Sequence, residues 1–345
     1  MSRMLEEIRE QPEALERTLT AGLRAAERFR RVIAQRRPRL VVLAARGTSD
    51  NAALFGRYLV ELTTGIPVSL AAPSILTLYN APIDYREALV VAISQSGESP
   101  DVNVVLEHAR EQGALTLGIT NERSSTLAHT ADHLFLVRAG RERSVAATKT
   151  YTGQILLLYL LAYALGAKLR ASELQRLPEL VEAALRLEPE IRELSDRYRF
   201  MDHAVVVGRG LNYANAFEFA LKLMETCYVV AERFSSADFL HGPIALVERG
   251  FPVFTFAAPG ATRASLKEML EKLQALRAEV AAITDSGNRE ALPVTKAIRI
   301  PVRIPELLTP IPYIVPAQLF SACLAEQKGL DPDKPRMLQK ITRTL

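Results

Sequence analysis

Residues 88–102 read Ala88-Leu89-Val90-Val91-Ala92-Ile93-Ser94-Gln95-Ser96-Gly97-Glu98-Ser99-Pro100-Asp101-Val102, and this stretch decides the fold. An apolar, partly β-branched run has the length of a buried strand and stops abruptly at a polar turn. Pro100 then opens a helical pattern that continues to about Gln112. Proline loses no hydrogen bond in a first helical turn, so Ser99 is the expected N-cap and Pro100 the first helical residue. The turn should therefore face unpaired backbone N–H groups and the positive end of a helix dipole. Ser94, Gln95, Ser96 and Ser99 crowd it with hydroxyls and an amide, and Gly97 permits close approach of the backbone. The expected role is a cradle for a phosphate group.

Outward from this stretch the same pattern recurs. Residues 4–35 have helical periodicity interrupted at Pro12, and Leu40–Ala45 form a strand running into Arg46-Gly47-Thr48-Ser49-Asp50-Asn51. A helix over 52–63, short strands at 68–72, 115–120 and 134–137, and a long helix over 145–166 complete a β/α alternation. Such alternation predicts a doubly wound parallel sheet covered on both faces.

After a charged helical connector the pattern restarts. Ala204 to Gly210 repeats Val41 to Gly47 at a displacement of 163 residues, with Arg46 falling on Arg209. Phe251 to Phe256 repeats Ala88 to Ile93 at the same displacement, and Ile283-Thr284 repeats Ile119-Thr120 at 164. So steady a displacement marks an internal duplication. At 163, Ser94-Gln95-Ser96-Gly97 falls on Ala257-Ala258-Pro259-Gly260, so the second copy keeps the turn glycine and lacks every side-chain hydrogen-bonding group. Hydroxyls that served only the turn would be needed in both copies, and the first copy is therefore the expected anion site.

The second copy has its own specialisation. Between Ala216 and Tyr228 the only charges are Glu218, Lys222 and Glu225, spaced by four and three residues on one narrow stripe of an otherwise apolar helix. A buried carboxylate beside a lysine suits proton transfer. His241, followed by Gly242-Pro243, sits on a turn rather than inside a regular element. The tail from Asp331 to Thr342 is too rigid and mixed in composition for a disordered end.

Composition bounds the rest. A chain of 345 residues that is 48% hydrophobic and 24% charged can bury more than one core. Its net charge is +4, with acids and bases interleaved, and the one basic stretch, Arg28 to Arg39, reads as a solvated helix end and not as a nucleic-acid surface. Cys227 and Cys323 lie in apolar contexts without metal-ligand spacing, as small buried hydrophobes in a reducing compartment. The N-terminal residues lack a signal-peptide pattern, and the longest apolar stretch, Ile155 to Leu165, is too short to span a bilayer. A cytoplasmic protein is expected, with no metal, no cofactor, and neither a membrane nor a nucleic acid as partner.

Taken together, Glu7 to Pro12, Arg46-Gly47-Thr48-Ser49, Ser94 to Ser99, Val145 to Lys149, Glu218 to Glu225, Leu240-His241-Gly242-Pro243 and Asp333-Lys334-Pro335-Arg336 resemble the sugar isomerase (SIS) domain family. The similarity is to the isomerase half of glucosamine-6-phosphate synthase and to its deaminase relatives. It implies two tandem doubly wound, flavodoxin-like α/β domains. Expected boundaries are a helical N-terminal segment (1–36), a phosphate-binding domain (37–168), a connector (169–198), an acid–base domain (199–330) and a tail over the active site (331–345).

The resemblance also implies roles. Ser94, Gln95, Ser96 and Ser99, helped by Thr48 and Ser49, would hold a hexose 6-phosphate, and Ala146 would line the sugar, while Ala147 stands where the synthase has a serine. Glu225 would move a proton between C1 and C2 through an enediol-type intermediate, steadied by Lys222 and Glu218. His241 would open the sugar ring, reaching in from the neighbouring subunit of a homodimer, and Lys340 would form a Schiff base with the keto sugar. The chain lacks the N-terminal glutaminase cysteine, which leads to the expectation of a deaminase: glucosamine 6-phosphate and water to fructose 6-phosphate and ammonia. A fructosamine-6-phosphate deglycase, an aldose–ketose isomerase or ammonia-dependent aminotransferase, and a non-catalytic sugar-phosphate sensor stay open.

Overall fold

The computed structural model describes residues 2–288 and 292–340. Ten strands are described in chain order: β1 (Leu40–Ala45), β2 (Val68–Leu70), β3 (Ala88–Ile93), β4 (Leu115–Thr120), β5 (His133–Leu136), β6 (His203–Gly208), β7 (Val230–Ser235), β8 (Pro252–Phe256), β9 (Glu279–Asp285) and β10 (Lys296–Ile300). They form two five-stranded sheets, β2-β1-β3-β4-β5 and β7-β6-β8-β9-β10. All pairings are parallel and the two orders are the same, as the duplication requires. Central strands are apolar without alternation because helices cover both faces, and every residue of β3 is buried.

The chain divides into two compact units. The first-repeat unit is drawn from Glu13–Glu142, Lys149–Arg176 and the segment beginning at Leu338. The second-repeat unit is drawn from the residues up to Pro12, from Arg143–Thr148 and from Leu177–Met337. One apolar cluster of the first unit packs Val90, Ala92, Val102, Val105 and Leu106 between sheet and helix. Its counterpart in the second gathers Val205, Val207, Val253, Leu266 and Leu270.

Sheet order fixes where a ligand can sit. From β1 the chain adds β2 on one side, and β3 then lies on the other, so the order reverses between β1 and β3. Open parallel sheets bind ligands outside the carboxyl ends of their strands at such a switch point. Ala45 pairs with Ile93, which sets the turns after β1 and β3 side by side.

Several expected boundaries move. Helix 145–166 is shorter, Lys149–Ala164, because Arg143–Thr148 joins the other unit. The N-terminal helix breaks at Glu10, two residues before Pro12, giving Arg3–Arg9 and Gln11–Arg36, since proline is tolerated in a first turn. The connector is three short helices, Ala171–Leu174, Leu177–Leu185 and Glu188–Asp196. Among the described residues no helix is long and apolar enough to cross a membrane. Both cysteines are buried and free, and burial pushes the Cys227 thiol up to about 12 and that of Cys323 up to about 11.

Candidate active site

Helix Pro100–Glu111 begins as the sequence predicts, with Ser99 as N-cap and Pro100 in its first turn. Gly97 has φ +68, and a Cβ there would lie 2.1 Å from the Ser125 hydroxyl, so only glycine fits the turn. The Ser94 N–H donates to the Ile119 carbonyl at 3.0 Å and the Thr120 hydroxyl donates to the Gln95 carbonyl at 3.2 Å. The expectation of open N–H groups needs correction at two positions. Gly97 N–H donates to the Ser94 hydroxyl at 3.1 Å and Glu98 N–H to the Ser96 hydroxyl at 3.2 Å. A hydroxyl that accepts keeps its proton to donate, so both serines can still serve an anion. Ser94 and Ser99 hydroxyls also lie 3.2 Å apart.

The neighbouring turn contributes Thr48 and Ser49 at the start of helix Thr48–Thr64, after Gly47 at φ +55. Two residues not singled out from the sequence brace the pair of turns. Asp101 is buried in the first turn of its helix and takes Arg46 Nε at 2.5 Å, a charge-assisted bond at a favourable helix end. Gln154 Nε2 donates to the Ser49 hydroxyl at 3.0 Å.

Lys340 lies in the same unit. Its Nζ is 3.0 Å from Glu142 Oε2, a carboxylate whose side chain is fully buried. The same carboxylate accepts Thr150 N–H at 3.1 Å and the Thr150 hydroxyl at 2.6 Å. The tail residues 341–345, including Thr342, lie outside the described residues.

In the second-repeat unit the three predicted charges do share one face of helix Tyr213–Cys227. Lys222 Nζ lies 2.6 Å from Glu225 Oε2 and 3.4 Å from Glu218 Oε1. Glu218 and Lys222 are essentially sealed, whereas the Glu225 side chain is 22% exposed, making it the carboxylate of the three that a ligand could reach. Burial works against the Lys222 ammonium, but the two carboxylates outweigh it and raise its pKa above the ordinary lysine value. His241 is exposed at the end of helix Ser236–Leu240, with its N–H donating to the Asp238 carbonyl at 3.1 Å.

Ala146 is buried in the strap Arg143–Thr148 of this unit. Buried Glu7 holds the strap by accepting the N–H groups of Arg143 and Ser144, and Gln318 Nε2 donates to the Thr148 carbonyl at 3.3 Å. These long-range partners carry no local sequence signal. Thus Thr48, Ser49, Ser94, Gln95, Ser96, Ser99 and Lys340 belong to one unit, and Ala146, Glu218, Lys222, Glu225 and His241 to the other.

The loop after β8 repeats the cradle's backbone without its chemistry. Ala257 N–H donates to the Ile283 carbonyl at 2.8 Å and the Thr284 hydroxyl to the Ala257 carbonyl at 2.8 Å. No hydroxyl is present between Ala257 and Ala261, and the carboxylate of Glu306 accepts the Ala261 N–H at 3.0 Å. It packs so closely that a Cβ at Gly260 would fall 1.9 Å from Oε2. The second loop thus carries an anion of its own.

Comparison with known proteins agrees with this architecture. The chain is 36% identical to the isomerizing glutamine–fructose-6-phosphate aminotransferase of Pyrococcus horikoshii over 98% of its own length and 57% of that protein. It therefore spans a little over half the length of the curated relatives it matches. The C-terminal domain of glucosamine-fructose-6-phosphate aminotransferase from Francisella tularensis superposes with TM-score 0.89 at 29% identity, covering 97% of this chain and 98% of that one. A protein from Silicibacter pomeroyi DSS-3, provisionally named a phosphosugar isomerase, gives TM-score 0.84 at 38% identity over 96% and 100% of the two chains. The glucosamine-6-phosphate deaminase of Thermotoga maritima, at 24% identity and TM-score 0.77 over 99% and 100%, shares the fold. The SIS domain profile matches residues 33–164 and 199–325, one match on each sheet, and the chain belongs to the SIS domain family.

Proposed function

We propose that the protein interconverts an amino-sugar phosphate and fructose 6-phosphate, and that its reaction is glucosamine 6-phosphate plus water to fructose 6-phosphate plus ammonia. The observation that carries the acid–base part is the triad on helix Tyr213–Cys227, where a sealed Glu218–Lys222 pair leaves Glu225 as the accessible carboxylate. In this reading Ser94, Gln95, Ser96 and Ser99, with Thr48 and Ser49, bind the 6-phosphate, and Ala146 lines the sugar.

His241 delivers the proton that opens the ring, contributed by a second copy in a homodimer. Glu225 then takes the C2 proton of the open aldose and returns it to C1 through the enediol-type intermediate, giving a ketimine at C2. The amine of Lys340 adds to C2 and expels ammonia, and water adds to the resulting Schiff base to release the ketose and the lysine. One water is consumed and one ammonia leaves, so the balance closes.

The aminotransferase relatives favour a second reading, in which the same residues run the sequence towards the amino sugar with ammonia supplied from elsewhere. Measuring ammonia release from a panel of 6-phosphorylated amino sugars, and its uptake into fructose 6-phosphate, tests both. Release from glucosamine 6-phosphate is the expected result. A protein that binds fructose 6-phosphate but neither releases nor incorporates ammonia would remove both readings.

A further inference from the structure

We propose that Glu142 is a positioning residue for Lys340, holding the lysine at a set distance from the phosphate cradle. The inference rests on the reading of Lys340 as the Schiff-base lysine. A lysine side chain has many rotamers, and an amine must be held within near-attack distance of a carbonyl carbon to add efficiently. Lys340 belongs to the C-terminal segment, 198 residues from its carboxylate partner, so its own neighbours in sequence do not fix it.

Glu142 is suited to that task because it is itself immobilised. Its side chain is fully buried, Oε1 accepts the Thr150 N–H, and Oε2 is shared between the Thr150 hydroxyl and the Lys340 ammonium. Thr150 lies in the first turn of helix Lys149–Ala164, and Gln154, four residues on, holds Ser49 of the cradle. Residues four apart share a helix face about 6 Å apart along the axis. One rigid helical turn therefore links the anchor of the lysine to the anchor of a predicted phosphate ligand. The two Thr150 bonds fix the carboxylate to the start of the helix, and the same carboxylate also binds the Lys340 ammonium.

The test is reduction of the lysine adduct. The Lys340 amine bonds to C2 of fructose 6-phosphate, the carbonyl oxygen leaves as water, and hydride from borohydride reduces the C=N bond to a stable secondary amine. Mass spectrometry of the Lys340 peptide then reads the trapping rate. Glu142→Gln should lower that rate at least tenfold while the Kd for fructose 6-phosphate stays within twofold. Thr150→Val, which removes only the hydroxyl bond, should trap within twofold of the parent. Should Glu142→Gln fold poorly by its thermal transition, Glu142→Asp withdraws the carboxylate by one methylene and should slow trapping at least fivefold. Parent-like trapping in the folded Glu142 variant, or an equal loss in Thr150→Val, overturns the positioning role alone. A parent that turns over substrate with no adduct on Lys340 removes the lysine's role, and this one with it.

Discussion

The loops after β3 and β8 have one backbone and two chemistries. Each is pinned by an N–H to the neighbouring strand and by a threonine hydroxyl, Thr120 in one and Thr284 in the other. Around Gly97 the first presents three serines and a glutamine, whereas around Gly260 the second presents alanines and proline and is met by the Glu306 carboxylate. The difference separates folding from binding, since the second loop forms without the hydroxyls that the first retains. The two copies differ in where their polar groups lie: the first gathers hydroxyls on this loop, and the second carries Glu218, Lys222 and Glu225 on helix Tyr213–Cys227.

The largest expected effect breaks that helix. Lys222→Met removes the ammonium that is paired with the sealed Glu218 carboxylate, and removing one partner of a buried pair costs about 3–5 kcal/mol. Denaturant unfolding should record the loss, and a change below about 1 kcal/mol would mean that the triad is not a buried ionic unit. Next comes Glu225→Gln, which keeps shape and removes the proton acceptor. The expected kcat falls about a hundredfold or more with KM nearly unchanged, and exchange of deuterium from heavy water into C1 of fructose 6-phosphate stops. Unaltered kcat would take Glu225 out of the chemistry.

A third experiment concerns assembly. Mixing inactive His241→Ala with inactive Glu225→Gln should recover part of the activity once subunits exchange, whereas no recovery after demonstrated exchange would argue that each site uses one chain alone.

The duplication, the parallel sheets and the start of helix Pro100–Glu111 were legible because period, strand length and capping residues are local signals. Strands β7 and β10 were not singled out. Both are edge strands, and Glu232 and Arg233 in one and Lys296 and Arg299 in the other break the apolar runs that mark central strands. Within the site the serines, the Glu218–Lys222–Glu225 stripe and His241 could be read from spacing and turn chemistry. Asp101, Gln154, Glu142 and Glu306 could not, because each acts on a partner that only tertiary packing supplies. Arg46 and Asp101 stand 55 residues apart and Ser49 and Gln154 stand 105 apart.

If only the first loop binds the substrate phosphate, paired calorimetry should separate the two loops. Fructose 6-phosphate and fructose would be titrated into the parent, into Ser94→Ala/Ser96→Ala and into Pro259→Ser. The double variant should lose at least tenfold in affinity for the phosphorylated sugar, about 1.4 kcal/mol, with fructose unaffected, and Pro259→Ser should match the parent. Equal losses in the two loops, or full affinity in the double variant, would contradict the claim.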